Sequence, residues 1–134
     1  MRIILMALAL LAATPARAEW TEVGRTAISV FYLDYKTVRK DGNLRSAWEL
    51  HDLTRRGPEG ELSVRLLHEY DCHKKRSRLL TYSDYSGSMA TGEILKTESD
   101  SERWYDIVHA TSDDVMTNVV RATAGDFMFR VVCS

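Results

Sequence analysis

The residues best suited to chemistry lie close together near the middle of the sequence. His68, Asp71, Cys72 and His73 all have side chains that bind metal ions. Cys72 and His73 are adjacent, however, and adjacent residues of a strand point to opposite faces of the sheet. His68 lies four residues from Cys72 and five from His73, so a regular strand cannot bring all of them to one ion. We therefore expect a disulfide rather than a metal site, and no cofactor.

A loop of small residues has the glycine spacing of a phosphate-binding loop, because four residues separate Gly87 from Gly92. A true phosphate loop continues with Lys and then Ser or Thr. Here Glu93 and Ile94 follow, and the carboxylate would repel a phosphate group. None of the four histidines has the sequence context of a hydrolase base beside its nucleophile. The sequence therefore predicts a protein that is not an enzyme.

The densest group of basic residues follows Cys72, where a turn between two strands is predicted. On such a turn the charges are either solvated or available to an acidic partner, such as a glycan, anionic lipid or an acidic protein segment. Tyrosines farther along the same predicted strand could add contact area. The candidate binding patch comprises Lys74, Lys75, Arg76, Arg78, Tyr82 and Tyr85.

Length and composition limit the remaining possibilities. The chain has 134 residues, of which 45% are hydrophobic and 28% charged, as in a globular protein with one core. The formal net charge of -1 gives no basic field for nucleic acid. We expect no nucleic-acid partner and a single domain, with the oligomeric state left open.

Residues 1–18 have the pattern of a signal peptide. Arg2 precedes an apolar run that is too short to span a bilayer, and Ala16-Arg17-Ala18 has the small-x-small order of a cleavage site. Cleavage would leave Glu19 as the first residue and residues 19–134 as the mature domain. No cysteine lies near this site, so we expect a periplasmic or secreted protein without a lipid anchor or a transmembrane segment. Loss of two arginines gives the mature chain a formal charge of 16 − 19 = −3.

Cys72 and Cys133 are the only cysteines in the sequence. Export would place them in an oxidising compartment, where a single intramolecular pairing is available. Closing a loop of roughly 60 residues should stabilise the fold by about 4 kcal/mol. We therefore predict a disulfide between Cys72 and Cys133.

Most of the mature chain alternates with the period of β-strands. Strands are predicted over residues 27–33, 44–53, 62–72 and 76–85, with a short one over 93–96. Asp41-Gly42 is a strong hairpin signal. The regions 55–61 and 86–92 are predicted to be loops, and 97–103 a flexible polar segment. This pattern favours a sheet of about five to six strands.

The C-terminal part changes to a helical period. Ser112 is a suitable N-cap, Val115, Met116, Val119 and Val120 form an apolar stripe, and Gly125 could end the helix. Residues 127–133 fit a helix or a strand equally well, and the residue pattern does not decide between them.

Several short motifs resemble the surface-adhesin protein E-like domain of Gram-negative bacteria. The resemblance covers nearly all of residues 19–134 and is most specific between 69 and 93. It is carried by Glu69-Tyr70-Asp71-Cys72, Arg76-x-Arg78-Leu79-Leu80 and Tyr85-Ser86-Gly87-x-Met89-x-x-Gly92-Glu93, with Glu19-Trp20, Tyr32-x-Asp34, Asp41-Gly42, Trp48, Trp104 and Cys133 in agreement.

The resemblance implies an α+β fold, in which a disulfide ties a C-terminal helix to one antiparallel sheet. It therefore favours a helix for residues 127–133. It also implies an exported, non-enzymatic binding domain, and some members of the family bind host extracellular-matrix proteins. An extracellular-matrix protein or an acidic glycan is the expected partner. The alternative is a periplasmic or envelope-associated structural domain with no host ligand.

Overall fold

A computed structural model describes residues 17–99, 103–107 and 125–134. The first 16 residues of the predicted signal peptide and the stripe from Ser112 to Val120 lie outside this part of the chain. Within it, a helix named α1 covers residues 125–132. No helix in these three ranges has the length and apolarity needed to cross a membrane. The strands are β1 (Thr21–Arg25), β2 (Ser29–Leu33), β3 (Arg39–Asp41), β4 (Leu44–Leu53), β5 (Ser63–Asp71), β6 (Arg76–Tyr85), β7 (Ile94–Ser99) and β8 (Tyr105–Asp106).

The strands form one antiparallel sheet, in the order β1-β2-β4-β5-β6-β7. The short strand β3 pairs with β4, and β8 pairs with the start of β6. The predicted single antiparallel sheet is confirmed, but its described residues form eight strands rather than five to six. Short pairings such as β8 have too few residues to show a period. β7 also extends to Ser99, because Thr97–Ser99 pair with β6 instead of forming a flexible segment.

Local hydrogen bonds determine the turns that connect these strands. Gly42 has φ +57° in the predicted β3–β4 hairpin, a conformation that glycine adopts without steric penalty. Asp34 follows β2, and its side chain accepts a hydrogen bond from the Lys36 amide to start a short 3-10 turn over Tyr35–Thr37. Asp71 ends β5, and its carboxylate accepts bonds from the amides of His73 and Lys74. Each of these three turns therefore begins with an acidic residue or contains a glycine.

The core lies between one face of the sheet and helix α1. Alternate residues of the central strands point to this face, and two residues of the helix pack against them. Burial of these side chains from water holds the helix on the sheet. The buried residues of the core are Phe31, Leu33, Ala47, Tyr70, Met128 and Val132.

Residues 127–133 lie at the C-terminal end of the fold and adopt the helical alternative, as the resemblance implied. The Cys133 amide donates to the Phe129 carbonyl 2.9 Å away, a contact of helical type. Gly125 lies in α1, and the helix that it was predicted to end falls outside the described residues. The predicted disulfide is confirmed: Cys72 and Cys133 are bonded, with their Cα atoms 5.5 Å apart. The bridge joins the end of β5 to the end of α1.

Candidate binding surface

The turn between β5 and β6 presents two free cations. Lys74 and Lys75 are both exposed. Neither ammonium lies within 4.0 Å of a carboxylate in the part of the chain that the structure describes. Lys75 has φ +52°, and its carbonyl accepts a hydrogen bond from the Ile107 amide. The backbone of the turn is thus held by Asp71 and by Ile107, while its lysine side chains remain in water.

Arg76 and Arg78 stand beside this turn on β6, stacked on the ring of Trp104. Their guanidinium carbons lie 4.4 and 4.7 Å from the ring centre, within the range of a cation–π contact. Arg76 also pairs with Asp71 at 3.3 Å, and Arg78 pairs with Glu69 at 2.6 Å. The half-buried arginines are therefore fixed in position, unlike the lysines.

The described cations of this surface outnumber its described carboxylates. Lys74, Lys75, Arg76 and Arg78 stand against Asp71 and Glu69, the carboxylates that pair with the two arginines in the described part of the chain. The Lys74 amide, and then Arg76 and the His73 amide, outweigh burial and lower the pKa of Asp71, so this carboxylate stays ionised. We call Lys74, Lys75, Arg76, Arg78 and Trp104 the hairpin-tip surface. Trp104 was not among the predicted patch residues.

The two predicted tyrosines lie away from the hairpin-tip surface. A register shift in the pairing of β5 and β6 interrupts the alternation of β6 between Leu79 and Thr81. Tyr82 therefore pairs with Leu66 on the helix-covered side of the sheet, where its hydroxyl donates to Glu98. Tyr85 stands at the far end of β6.

Tyr85 lines a separate groove of about 570 Å³ on the sheet face opposite α1. Trp20 and Arg65 form other parts of its wall. The Arg65 guanidinium stacks 3.9 Å from the ring centre of Trp48. Arg17 and Ala18, which belong to the predicted signal peptide, also line this groove. The predicted cleavage after Ala18 would remove these two residues from the groove.

A buried polar cluster lies on the opposite side of the sheet, under α1. The Glu49 carboxylate is 1% exposed, accepts a hydrogen bond from the Tyr70 hydroxyl and lies 2.9 Å from Nδ1 of His68. Nε2 of His51 is 3.5 Å away. Burial alone raises the pKa of Glu49, but His68 and His51 outweigh it and bring the pKa to about 2. Burial, and then Glu49, raise the pKa of Tyr70 far above its usual range, so its hydroxyl stays protonated.

Sequence reasoning did not identify this cluster as a unit. The alternation placed Glu49 and His51 on one face of their strand, and His68 and Tyr70 on one face of theirs. This alternation is the sequence signal from which the cluster could have been found. The pairing of Glu49 with Leu66, which aligns β4 with β5, brings the two sets together.

Backbone amides of the glycine-containing loop at residues 86–92 donate hydrogen bonds to side chains elsewhere in the fold. The Met89 amide donates to Asp52 at 2.7 Å, and the Ala90 amide donates to Ser63 at 2.9 Å. These amides are therefore occupied and do not form an anion-binding nest. Among the described ranges, no three His, Cys, Asp or Glu side chains are arranged to hold a metal ion.

Comparisons with known proteins agree with this architecture. Two solved structures of Haemophilus influenzae protein E are similar to the chain, each with 13% sequence identity. The first, crystal form II, covers 95% of this chain and 96% of its own, with a TM-score of 0.52. The second covers 88% and 86%, with a TM-score of 0.49. At this identity the first match shows a shared fold. No curated protein matches the chain.

The family profile described as surface-adhesin protein E matches residues 20–134. This range contains all eight strands, α1, the disulfide and the hairpin-tip surface. The chain therefore belongs to the surface-adhesin protein E family.

Proposed function

We propose that the protein is exported, loses residues 1–18 and acts as a non-enzymatic binding domain for an extracellular-matrix protein. The hairpin-tip surface is the proposed contact. The observation that carries this proposal is the difference between its two kinds of cation. Lys74 and Lys75 are exposed and have no carboxylate partner among the described residues, whereas Arg76 and Arg78 are positioned on Trp104. Membership of an adhesin family supports the same proposal.

The hairpin-tip surface combines features of protein-binding surfaces. Trp and Arg are enriched among residues that dominate interface energetics. The lysines add a field that attracts acidic segments and raises the association rate. Stacking on Trp104 limits the conformational freedom that the arginines would lose on binding. An acidic segment of a matrix protein is the partner that fits this surface.

The buried cluster gives a reason to favour binding over catalysis. Glu49, His68 and Tyr70 are residue types used in acid–base chemistry. The side chains of Glu49 and Tyr70 are nevertheless almost fully buried, at about 1% exposure each. Neither side chain is accessible to a substrate in this structure. A structural role for this cluster is therefore part of the proposal.

Binding can be tested with the full chain, exported with its own leader and purified. The probes are purified extracellular-matrix proteins immobilised as a panel, with heparin as an acidic-glycan probe. Lys74→Gln with Lys75→Gln should weaken binding roughly tenfold, since each exposed charge contributes only modestly. Binding by the wild type should also weaken as salt is raised. Lys40→Gln with Arg55→Gln is the matched control, because it removes two exposed cations elsewhere.

Equal losses in the two double variants would show that only total charge matters and would reject the hairpin-tip surface. Binding to heparin alone would change the partner class to an acidic glycan. Failure of the wild type to bind any probe would favour the structural envelope domain instead.

A further inference from the structure

The carboxylate of Asp34 lies beside the bond where signal-peptide cleavage is predicted. Asp34 is only 5% exposed. Its Oδ1 accepts a hydrogen bond from the Lys36 amide, and its Oδ2 lies 3.3 Å from the backbone nitrogen of Glu19. A buried carboxylate oxygen thus faces the atom that would become the first nitrogen of the mature protein.

The sheet brings these two residues together. Thr21 pairs with Leu33 in the β1–β2 register, so the residues just before β1 run alongside Asp34. The Glu19 side chain is held by Lys36, whose Nζ lies 2.5 Å from Oε1. Among the described residues, Lys36 and Glu19 are charged neighbours of Asp34, and they pair with each other. The second oxygen of Asp34 is therefore left to the Glu19 nitrogen.

We propose that cleavage between Ala18 and Glu19 creates an α-ammonium group that Asp34 binds as an ion pair, which strengthens the attachment of β1 to the sheet in the processed protein. This inference rests on the proposed export. Hydrolysis of the peptide bond adds water, so the Ala18 carbonyl leaves as a carboxylate and the Glu19 nitrogen takes up protons to become an ammonium. No other reactant is needed.

The ammonium is a better partner for Asp34 than the amide it replaces. An amide offers one neutral donor, whereas an ammonium offers three donors and a positive charge. A hydrogen bond gains strength when its partners are charged, and here both partners would be charged instead of the carboxylate alone. Because Asp34 is largely shielded from water, salt and solvent screen this pair less than a surface pair.

The test uses the full-length gene exported with its own leader, and intact mass identifies the first residue. An Ala-Ser insertion after Ala18 gives a mature protein in which the Glu19 nitrogen is again an amide. Asp34→Asn removes the charge but keeps the Oδ1 acceptor for the Lys36 amide. The melting temperature is measured for all four combinations of insertion and substitution. The pKa of the α-amine is measured by NMR titration of the wild type, which requires no substitution.

The protein beginning at Glu19 should melt about 3 °C above the inserted variant, and Asp34→Asn should abolish that difference. The α-amine should titrate above its usual range of about 7.7–8.0. A raised folded-state pKa places the stability gain below pH ~8, and the gain disappears as pH rises through the raised value. A normal amine pKa, or a melting difference that survives Asp34→Asn, would overturn the ion pair.

An intact mass showing that the mature protein begins at a residue other than Glu19 would also overturn the proposal. It would leave the binding proposal intact, because binding is measured separately on the matrix-protein panel.

Discussion

Nδ1 of His68 lies 2.9 Å from a carboxylate oxygen of Glu49 that water hardly reaches. The two residues come from neighbouring strands, and α1 covers them on the side away from the hairpin-tip surface. Together with the Tyr70 hydroxyl, this contact keeps a charged group stable inside a small core. Several measurable properties follow from this arrangement and from the way α1 is attached.

The first prediction concerns acid sensitivity. The folded-state pKa of Glu49 is about 2, below its ordinary value of 4.5, so its ionisation stabilises the fold above pH ~4.5. That contribution, on the order of 3 kcal/mol, should be lost as pH falls from about 4.5 to about 2. Urea unfolding of the wild type and Glu49→Gln at a series of pH values measures it. An equally steep acid loss in Glu49→Gln would contradict the assignment.

The second prediction concerns the Tyr70 hydroxyl. Tyr70→Phe removes a donor to Glu49 and leaves the buried carboxylate with one fewer partner, at a cost of about 1–3 kcal/mol in the free energy of unfolding. Tyr35→Phe is the matched control, since Tyr35 is 51% exposed and should tolerate the change. Chemical denaturation compares the two variants. Equal stability of both would show that the Tyr70 hydroxyl contributes nothing.

The third prediction concerns the disulfide. Replacing Cys72 and Cys133 together by Ala should destabilise the fold by about 4 kcal/mol, because the unfolded chain regains the freedom of a long loop. α1 should then lose protection in hydrogen exchange before the central strands do, since it is held otherwise only by packing. Uniform loss of protection across β4 and α1 would contradict this order.

The fourth prediction concerns the contact between β1 and α1. A Cβ atom on Gly24 would lie 2.7 Å from the Phe127 ring, so Gly24→Ala should push the helix outward and cost about 1–3 kcal/mol. Phe127→Leu, which makes room there, should recover part of that loss in the double variant. Gly42→Asn is the control, because Gly42 has open space around it and Asn tolerates positive φ. Additive losses in Gly24→Ala with Phe127→Leu would argue against a steric cause.

The long strands could be predicted because their residues alternate without interruption. β4 and β6 have the bounds expected from the sequence, and the chemistry of Asp41-Gly42 indicated its hairpin directly. Residues 127–133 remained undecided because their apolar positions fit both periods. The core then settles the choice, since Met128, Phe129 and Val132 all pack into it, whereas a strand would turn Phe129 to the opposite face.

The candidate surface could be predicted only in part. The basic residues are neighbours in sequence, so their common turn was evident. Trp104 lies 26 residues beyond Arg78 and reaches the arginines through the pairing of β8 with β6. Tyr82 was expected beside them, but the register shift in β6 sends it to the other face. Long-range pairing and a one-residue irregularity are the information that local patterns lack.

The bridge from Cys72 to Cys133 also determines how the domain would carry mechanical load. Cys72 lies two residues before Lys74, and Cys133 directly follows α1. A force applied between a ligand on the turn and Ser134 would pass through a few covalent bonds. The hydrogen bonds between the strands of the sheet would not carry that force. The fold would then remain intact under a pull that unravels a domain held by hydrogen bonds alone.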